Sequence, residues 1–102
     1  MRYDGIMSSL TEQDRRLILE ISRVFKSSTR IFHIGQLERK KSLANLDVFG
    51  GLKRLQSLGI AEQVNERRGI WRIAKGATKF YHSIADEELE KLNPDLSAIY
   101  RR

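Results

Sequence analysis

Leu52-Lys53-Arg54-Leu55-Gln56-Ser57-Leu58-Gly59-Ile60-Ala61-Glu62 is the stretch on which the fold turns. Taken with Val48 just upstream, Leu52 and Leu55 complete an i, i+4, i+7 pattern that puts three apolar side chains on one face of a helix. Gly59 follows where such a helix ends in a left-handed residue, a conformation that glycine adopts without a Cβ penalty. The helix is expected over about 45–58, with Asn45 able to cap its start. Beyond Gly59 the pattern changes to that of a hairpin. Ile60-Ala61-Glu62-Gln63-Val64 and Ile70-Trp71-Arg72-Ile73-Ala74 are the strands, and Asn65-Glu66-Arg67-Arg68-Gly69 is the tip.

Upstream, Ser42-Leu43-Ala44-Asn45 is expected as a turn. Before it comes a short helix over about 35–41 that carries Leu37 inward and Glu38, Arg39, Lys40 and Lys41 outward. Arg30-Ile31-Phe32-His33-Ile34 is too short and too β-branched for a helix and is expected to be a brief strand or extended link. Leu10, Leu17, Ile18, Ile21, Val24 and Phe25 share one face of a first helix over about 10–27. Two capping-box spacings mark its start, Ser9 with Glu12 and Thr11 with Asp14. Downstream, Lys75-Gly76 leads into a helix over 77–92, and Asn93-Pro94 opens a short terminal helix.

The order helix, short strand, helix, turn, helix, hairpin, helix resembles a winged helix-turn-helix domain. The Leu-x-x-Leu-x-x-x-Gly-Ile run at 52–60 is similar to the junction between recognition helix and wing in the MarR-like and PadR-like regulators. Ile70-Trp71-Arg72-Ile73-Ala74-Lys75-Gly76 resembles their second wing strand and its exit, with Ala74 where a Thr is usual. Small archaeal and archaeal-virus winged-helix proteins are similar in length. The resemblance implies a mainly α, α+β fold with a β-hairpin wing: an N-terminal arm at 1–9, a DNA-binding core at 10–76 and a C-terminal helical segment at 77–102 that dimerises. It also implies a sequence-specific transcriptional regulator of repressor type, acting as a homodimer on double-stranded DNA. The recognition helix would enter the major groove, and the wing at 60–74 would lie at the adjacent minor groove.

The charge distribution points to the same partner. The chain carries 19 Lys and Arg against 13 Asp and Glu, a formal charge of +6. Residues 23–79 alone hold +9, while 1–22 hold −1 and 80–102 hold −2. A segment that lies against phosphates concentrates cations, because each neutralised phosphate releases counterions. With Val48, Leu52 and Leu55 inward, Leu46, Gly50, Lys53 and Ser57 fall on the outer face of the third helix, flanked by Asp47 and Arg54. Lys53 and Arg54 are then candidates for base edges, with Asn45, Gly50 and Ser57 beside them. Lys40 and Lys41 are candidates for backbone phosphates, and Arg67 and Arg68 at the tip, with Arg72 on the second strand, for wing contacts. Gly50 and Gly51 inside a helix signify either close helix packing or close approach to DNA. Phe49 and Trp71 are expected in the core.

In the last helix Ala77, Phe80, Tyr81 and Ile84 form one apolar stripe, enough to dock it on the core. A second runs through Ala85, Leu89, Leu92, Leu96 and Ile99. Together with Tyr81 this second stripe is the candidate dimer contact, the alternative being an arm folded back on the first helix.

Other classes are disfavoured. At 102 residues there is room for a single domain, and 40% hydrophobic with 31% charged residues is a globular composition. The absence of cysteine excludes disulfides, thiol catalysis and Cys-ligated metals. The longest apolar run, Leu17-Ile18-Leu19, is far too short to span a bilayer, and Met1–Gly5 lacks a signal-peptide core, so a cytoplasmic protein is expected. His33 and His82 have no second ligand at helical spacing, and Gly50-Gly51-Leu52-Lys53 lacks the phosphate-loop spacing, so neither an enzyme nor a cofactor is expected. The competing function is a winged-helix module that binds protein within a larger nucleic-acid-processing assembly.

Overall fold

The computed structural model describes residues 4–92, which form an α+β unit of five α-helices and one three-stranded antiparallel sheet. In chain order the elements are α1 (Asp4–Met7), α2 (Glu12–Val24), β1 (Ile31–His33), α3 (Ile34–Glu38), a 3-10 turn (Lys41–Leu43), α4 (Val48–Ser57), β2 (Ala61–Asn65), β3 (Ile70–Ile73) and α5 (Thr78–Leu92). The sheet order is β1-β3-β2, so the hairpin strand β3 is central. Ile31, Phe32 and His33 pair with Arg72, Trp71 and Ile70. Ala61, Glu62 and Gln63 pair with Ile73, Arg72 and Trp71, and a bulge at Val64 shifts the register so that Asn65 meets Ile70. This order of elements is compatible with a winged helix.

Of the two capping boxes, the Thr11 one forms. Thr11 Oγ1 accepts the Asp14 N–H at 3.1 Å, and the Thr11 N–H donates to Asp14 Oδ2 at 2.9 Å. The helix ends at Val24, three residues short of expectation. Phe25 turns to extended backbone, which lets its ring enter the core while the Lys26 N–H bonds to the Ile31 carbonyl.

The second helix is also shorter than 35–41. Leu37 and Leu43 are both buried, yet six residues at 100° each would leave them 120° apart on one helix. The chain therefore breaks after Glu38 and reforms as the 3-10 turn, which delivers Leu43 inward. His33 caps α3, its Nδ1 accepting the Gly35 N–H at 2.9 Å while Gln36 Oε1 accepts the His33 N–H. Turn bonds carry the chain on to Leu46, so α4 begins at Val48 and its cap is Asp47 rather than Asn45. Asp47 Oδ1 accepts the Gly50 N–H at 3.0 Å, an interaction worth about 1 kcal/mol.

At the other end of α4, Gly59 has φ +79°, the Ile60 N–H reaches the Leu55 carbonyl at 3.1 Å, and the Gly59 N–H reaches Gln56 at 3.0 Å. Leu55 and Ile60 are fully buried, so the cap is closed by the apolar contact that accompanies this motif. The core lies where α2, α4, α5 and one face of the sheet meet. It gathers Ile18, Ile21, Leu52, Leu55, Trp71, Ile73, Tyr81 and Ile84 with Phe32, Leu37 and Leu43. Trp71 is in the core as expected. Phe49 is not: it is 42% exposed.

The expected docking stripe of α5, Ala77, Phe80, Tyr81 and Ile84, is buried throughout. Two members of the expected dimer contact are buried with it. Tyr81 is 0% exposed and its hydroxyl donates to the Ile60 carbonyl at 2.6 Å, and Ala85 packs inward as well, so neither is accessible to a second chain. Leu89 is half-buried. The Leu92 side chain, Leu96, Ile99 and the terminal helix expected after Pro94 lie outside the described residues. Among the described residues no helix is long and apolar enough to cross a membrane.

Candidate nucleic-acid interface

Val48, Leu52 and Leu55 anchor α4 in the core, and Gly51 is tucked against α2: a Cβ there would stand 2.8 Å from Leu17 Cδ2. Gly51 therefore serves close helix packing. Gly50 has a different cause, since a Cβ there would collide with the Asp47 carboxylate that caps the helix. The glycine pair is accounted for by packing and capping within the chain.

With that face fixed, Phe49, Lys53, Gln56 and Ser57 are exposed. Lys53 Nζ lies 5.8 Å from the centroid of the Phe49 ring, and that ring meets Trp71 edge-on at 6.3 Å. The Ser57 hydroxyl donates to the Arg54 carbonyl at 2.6 Å. Arg54 is held sideways. Its Nε donates to Asp14 Oδ2 at 2.8 Å and a terminal nitrogen donates to the Ser9 carbonyl at 2.7 Å, so it straps α4 to the start of α2. The two helix starts flank an open cleft of about 520 Å³, where Asp14 is engaged by Arg54 and Asp47 by Gly50.

The tip of the hairpin is shaped by Gly69, with φ +67°. A Cβ there would stand 2.6 Å from Ile34 Cγ2, and its carbonyl accepts the Ile34 N–H at 2.8 Å. The Asn65 side chain accepts the Arg68 N–H at 3.1 Å, closing the turn from the other side. Arg67 and Arg68 project from this fixed turn, both exposed. Arg72 is committed elsewhere: Nε and a terminal nitrogen both donate to Glu62 Oε2, at 3.0 and 2.7 Å, across the β2–β3 pair.

Lys40 is half-buried at the start of the 3-10 turn, Lys41 is exposed within it, and Asn45 is exposed in the turn that follows. Among the described residues Lys40, Lys41, Lys53, Arg67 and Arg68 make no ion pair, whereas Arg54 and Arg72 do. The ten expected contact residues thus divide. Five are uncompensated cations, two are neutralised arginines, and Asn45, Gly50 and Ser57 belong to turns or to the helix backbone.

Two exposed members of the α4 face, Phe49 and Gln56, escaped the sequence reading. Phe49 is 100° from Val48, at the margin of the apolar stripe, where periodicity does not decide between core and surface. The spacing of Phe49, Lys53 and Gln56 at i, i+4 and i+7 was the available signal. The two histidines have local roles, His33 as the α3 cap and His82 in a ring contact with Phe25 at 5.7 Å. No family model, curated protein or solved structure matches this chain.

Proposed function

We propose that this chain is a winged helix-turn-helix regulator that binds double-stranded DNA in a sequence-specific manner. In this reading α4 enters the major groove, the β2–β3 hairpin is the wing at the neighbouring minor groove, and the C-terminal segment pairs two copies. The observation that supports it most is the set of uncompensated cations, Lys53 on the free face of α4 with Arg67 and Arg68 on the hairpin tip. Elsewhere on the same elements arginines are neutralised by Glu62 and Asp14. A cation left without a carboxylate contributes little to the stability of the folded chain. Opposite phosphates it releases counterions and adds affinity. Lys40 and Lys41 extend the cationic set to the turn ahead of α4, where contacts position the protein without reading sequence.

Selection of bound DNA from a random duplex pool tests the proposal. A palindromic consensus is expected, reflecting two reading heads related by a two-fold axis. Binding to that site should fall steeply with salt, at about 0.9 log units per log unit of salt for each phosphate neutralised. Failure to enrich any duplex, or a flat salt response, removes the proposal and leaves the protein-binding module as the better account.

A further inference from the structure

We propose that Phe49 reads the 5-methyl group of thymine in the major groove, as the apolar member of the set Phe49, Lys53 and Gln56; this rests on the DNA-binding reading above. Phe49 is the second residue of α4, and its neighbours Val48 and Leu52 are buried while its own ring stays 42% exposed. Exposure of a large ring forgoes hydrophobic stabilisation that the same helix secures at Val48, Leu52 and Leu55. The ring is nevertheless held in place. Trp71 meets it edge-on at 6.3 Å and 75°, and the Lys53 ammonium sits 5.8 Å from its centroid. Trp71 is itself fully buried, so the ring rests against a rigid wall with one side open to solvent. Gly50, the next residue, adds no side chain beside it.

Phe49, Lys53 and Gln56 succeed one another at i, i+4 and i+7, and all three are exposed. An apolar ring, a cation and an amide are the complements of three features of the major-groove edge: the thymine methyl, the guanine O6 and N7, and the adenine N6 and N7. A protein partner that covered the ring would also have to desolvate the ammonium beside it. Duplex DNA satisfies both groups at once and matches the positive charge of this part of the chain. The geometry also fixes a spacing. Four helical residues rise about 6 Å, and stacked bases are about 3.4 Å apart along a strand. The thymine read by Phe49 is therefore within two base-pair steps of the guanine read by Lys53.

The test uses the full chain and its selected duplex, with each thymine replaced singly by deoxyuridine, which removes only the methyl group. One position per half-site should lose affinity about three- to fivefold, the worth of one methyl removed from water. In Phe49→Ala and Phe49→Gln that site-specific penalty should disappear, so that thymine and deoxyuridine duplexes bind alike. The scan on the unaltered chain does not depend on how either variant folds. If the selected duplex binds and no thymine responds, or if the penalty persists in both variants, the assignment of Phe49 is overturned while DNA binding stands. If no duplex is bound at all, the reading on which the assignment depends has failed.

Discussion

Arg54 Nε donates to Asp14 Oδ2 at 2.8 Å, and that same carboxylate oxygen accepts the Thr11 N–H at 2.9 Å. One carboxylate, only 3% exposed, thus caps α2 and ties α4 to it. Sequence spacing groups Arg54 with Lys53 as a candidate reader of bases, but in the fold Arg54 is paired with Asp14 and Lys53 is not paired with a carboxylate among the described residues. Arg54→Ala leaves Asp14 buried with one charged partner fewer and should lower stability by about 1–3 kcal/mol. Lys53→Ala should change stability by less than about 0.5 kcal/mol. On the selected duplex Lys53→Ala should cost about 1–3 kcal/mol. Urea denaturation and duplex titration of both variants separate the effects. Equal stability losses would show that the Arg54 strap is energetically idle.

The arginines of the hairpin tip should act on every sequence alike. Arg67 and Arg68 stand on a turn fixed by Gly69 and Asn65 and are exposed. The double change Arg67→Ala with Arg68→Ala should weaken selected and scrambled duplexes by similar factors and reduce the salt slope by about one unit for each lost phosphate contact. Changing Arg72→Ala should leave the slope unaltered, because its guanidinium is already paired to Glu62. A loss of discrimination confined to the selected site would make the wing the reading element.

The sequence was most informative where a local rule has a single structural solution. Gly59, the hairpin ahead of Trp71 and the buried face of α4 follow from periodicity and a left-handed cap, and the structure has each of them. It was less informative where two rules compete over a few residues. Asn45 and Asp47 are both good caps, and the choice of Asp47 depends on the turn bonds that carry the chain through Leu46. The neutralisation of Arg54 was not legible because Asp14 is 40 residues away in sequence and is brought near by the packing of α2 on α4. Arg72 and Glu62 differ in kind: their pairing follows from the hairpin register, which the sequence brackets but the bulge at Val64 adjusts.

The Tyr81 hydroxyl can be tested apart from assembly. It donates to the Ile60 carbonyl, which also accepts the Ala74 N–H at 3.2 Å, so its removal leaves that carbonyl with a remaining partner. Tyr81→Phe should therefore lower stability by only about 0.5–1.5 kcal/mol. Sedimentation of the variant should match that of the unaltered protein, because a residue with no exposed surface makes no contact with a second chain. A change in oligomeric state would mean that the α5 packing is rearranged on assembly.

The proposed dimer is tested further along the helix. Leu89 is only half-buried, whereas Tyr81, Ile84, Ala85 and Glu88 around it are buried against the body of the protein. Lys91 reaches Glu12 at 3.5 Å, and Arg15 reaches Glu87 at 3.1 Å, so two ion pairs tie this part of α5 to α2. A partner contact at Leu89 would extend an already docked helix and would not have to detach it. Leu89→Asp with Leu92→Asp places two charges where the proposed pairing needs apolar surface, and should convert a dimer into a monomer. The variant should keep its helical signal, since neither substitution replaces a residue of the described core. Duplex binding should then lose the two-headed preference: affinity for the palindrome should fall toward that for a single half-site. Sedimentation at tens of micromolar and titration of full-site and half-site duplexes measure the two effects. If the unaltered protein already sediments as a monomer and binds both duplexes equally, the C-terminal stripe belongs to the chain's own fold and the chain binds as a single reading head.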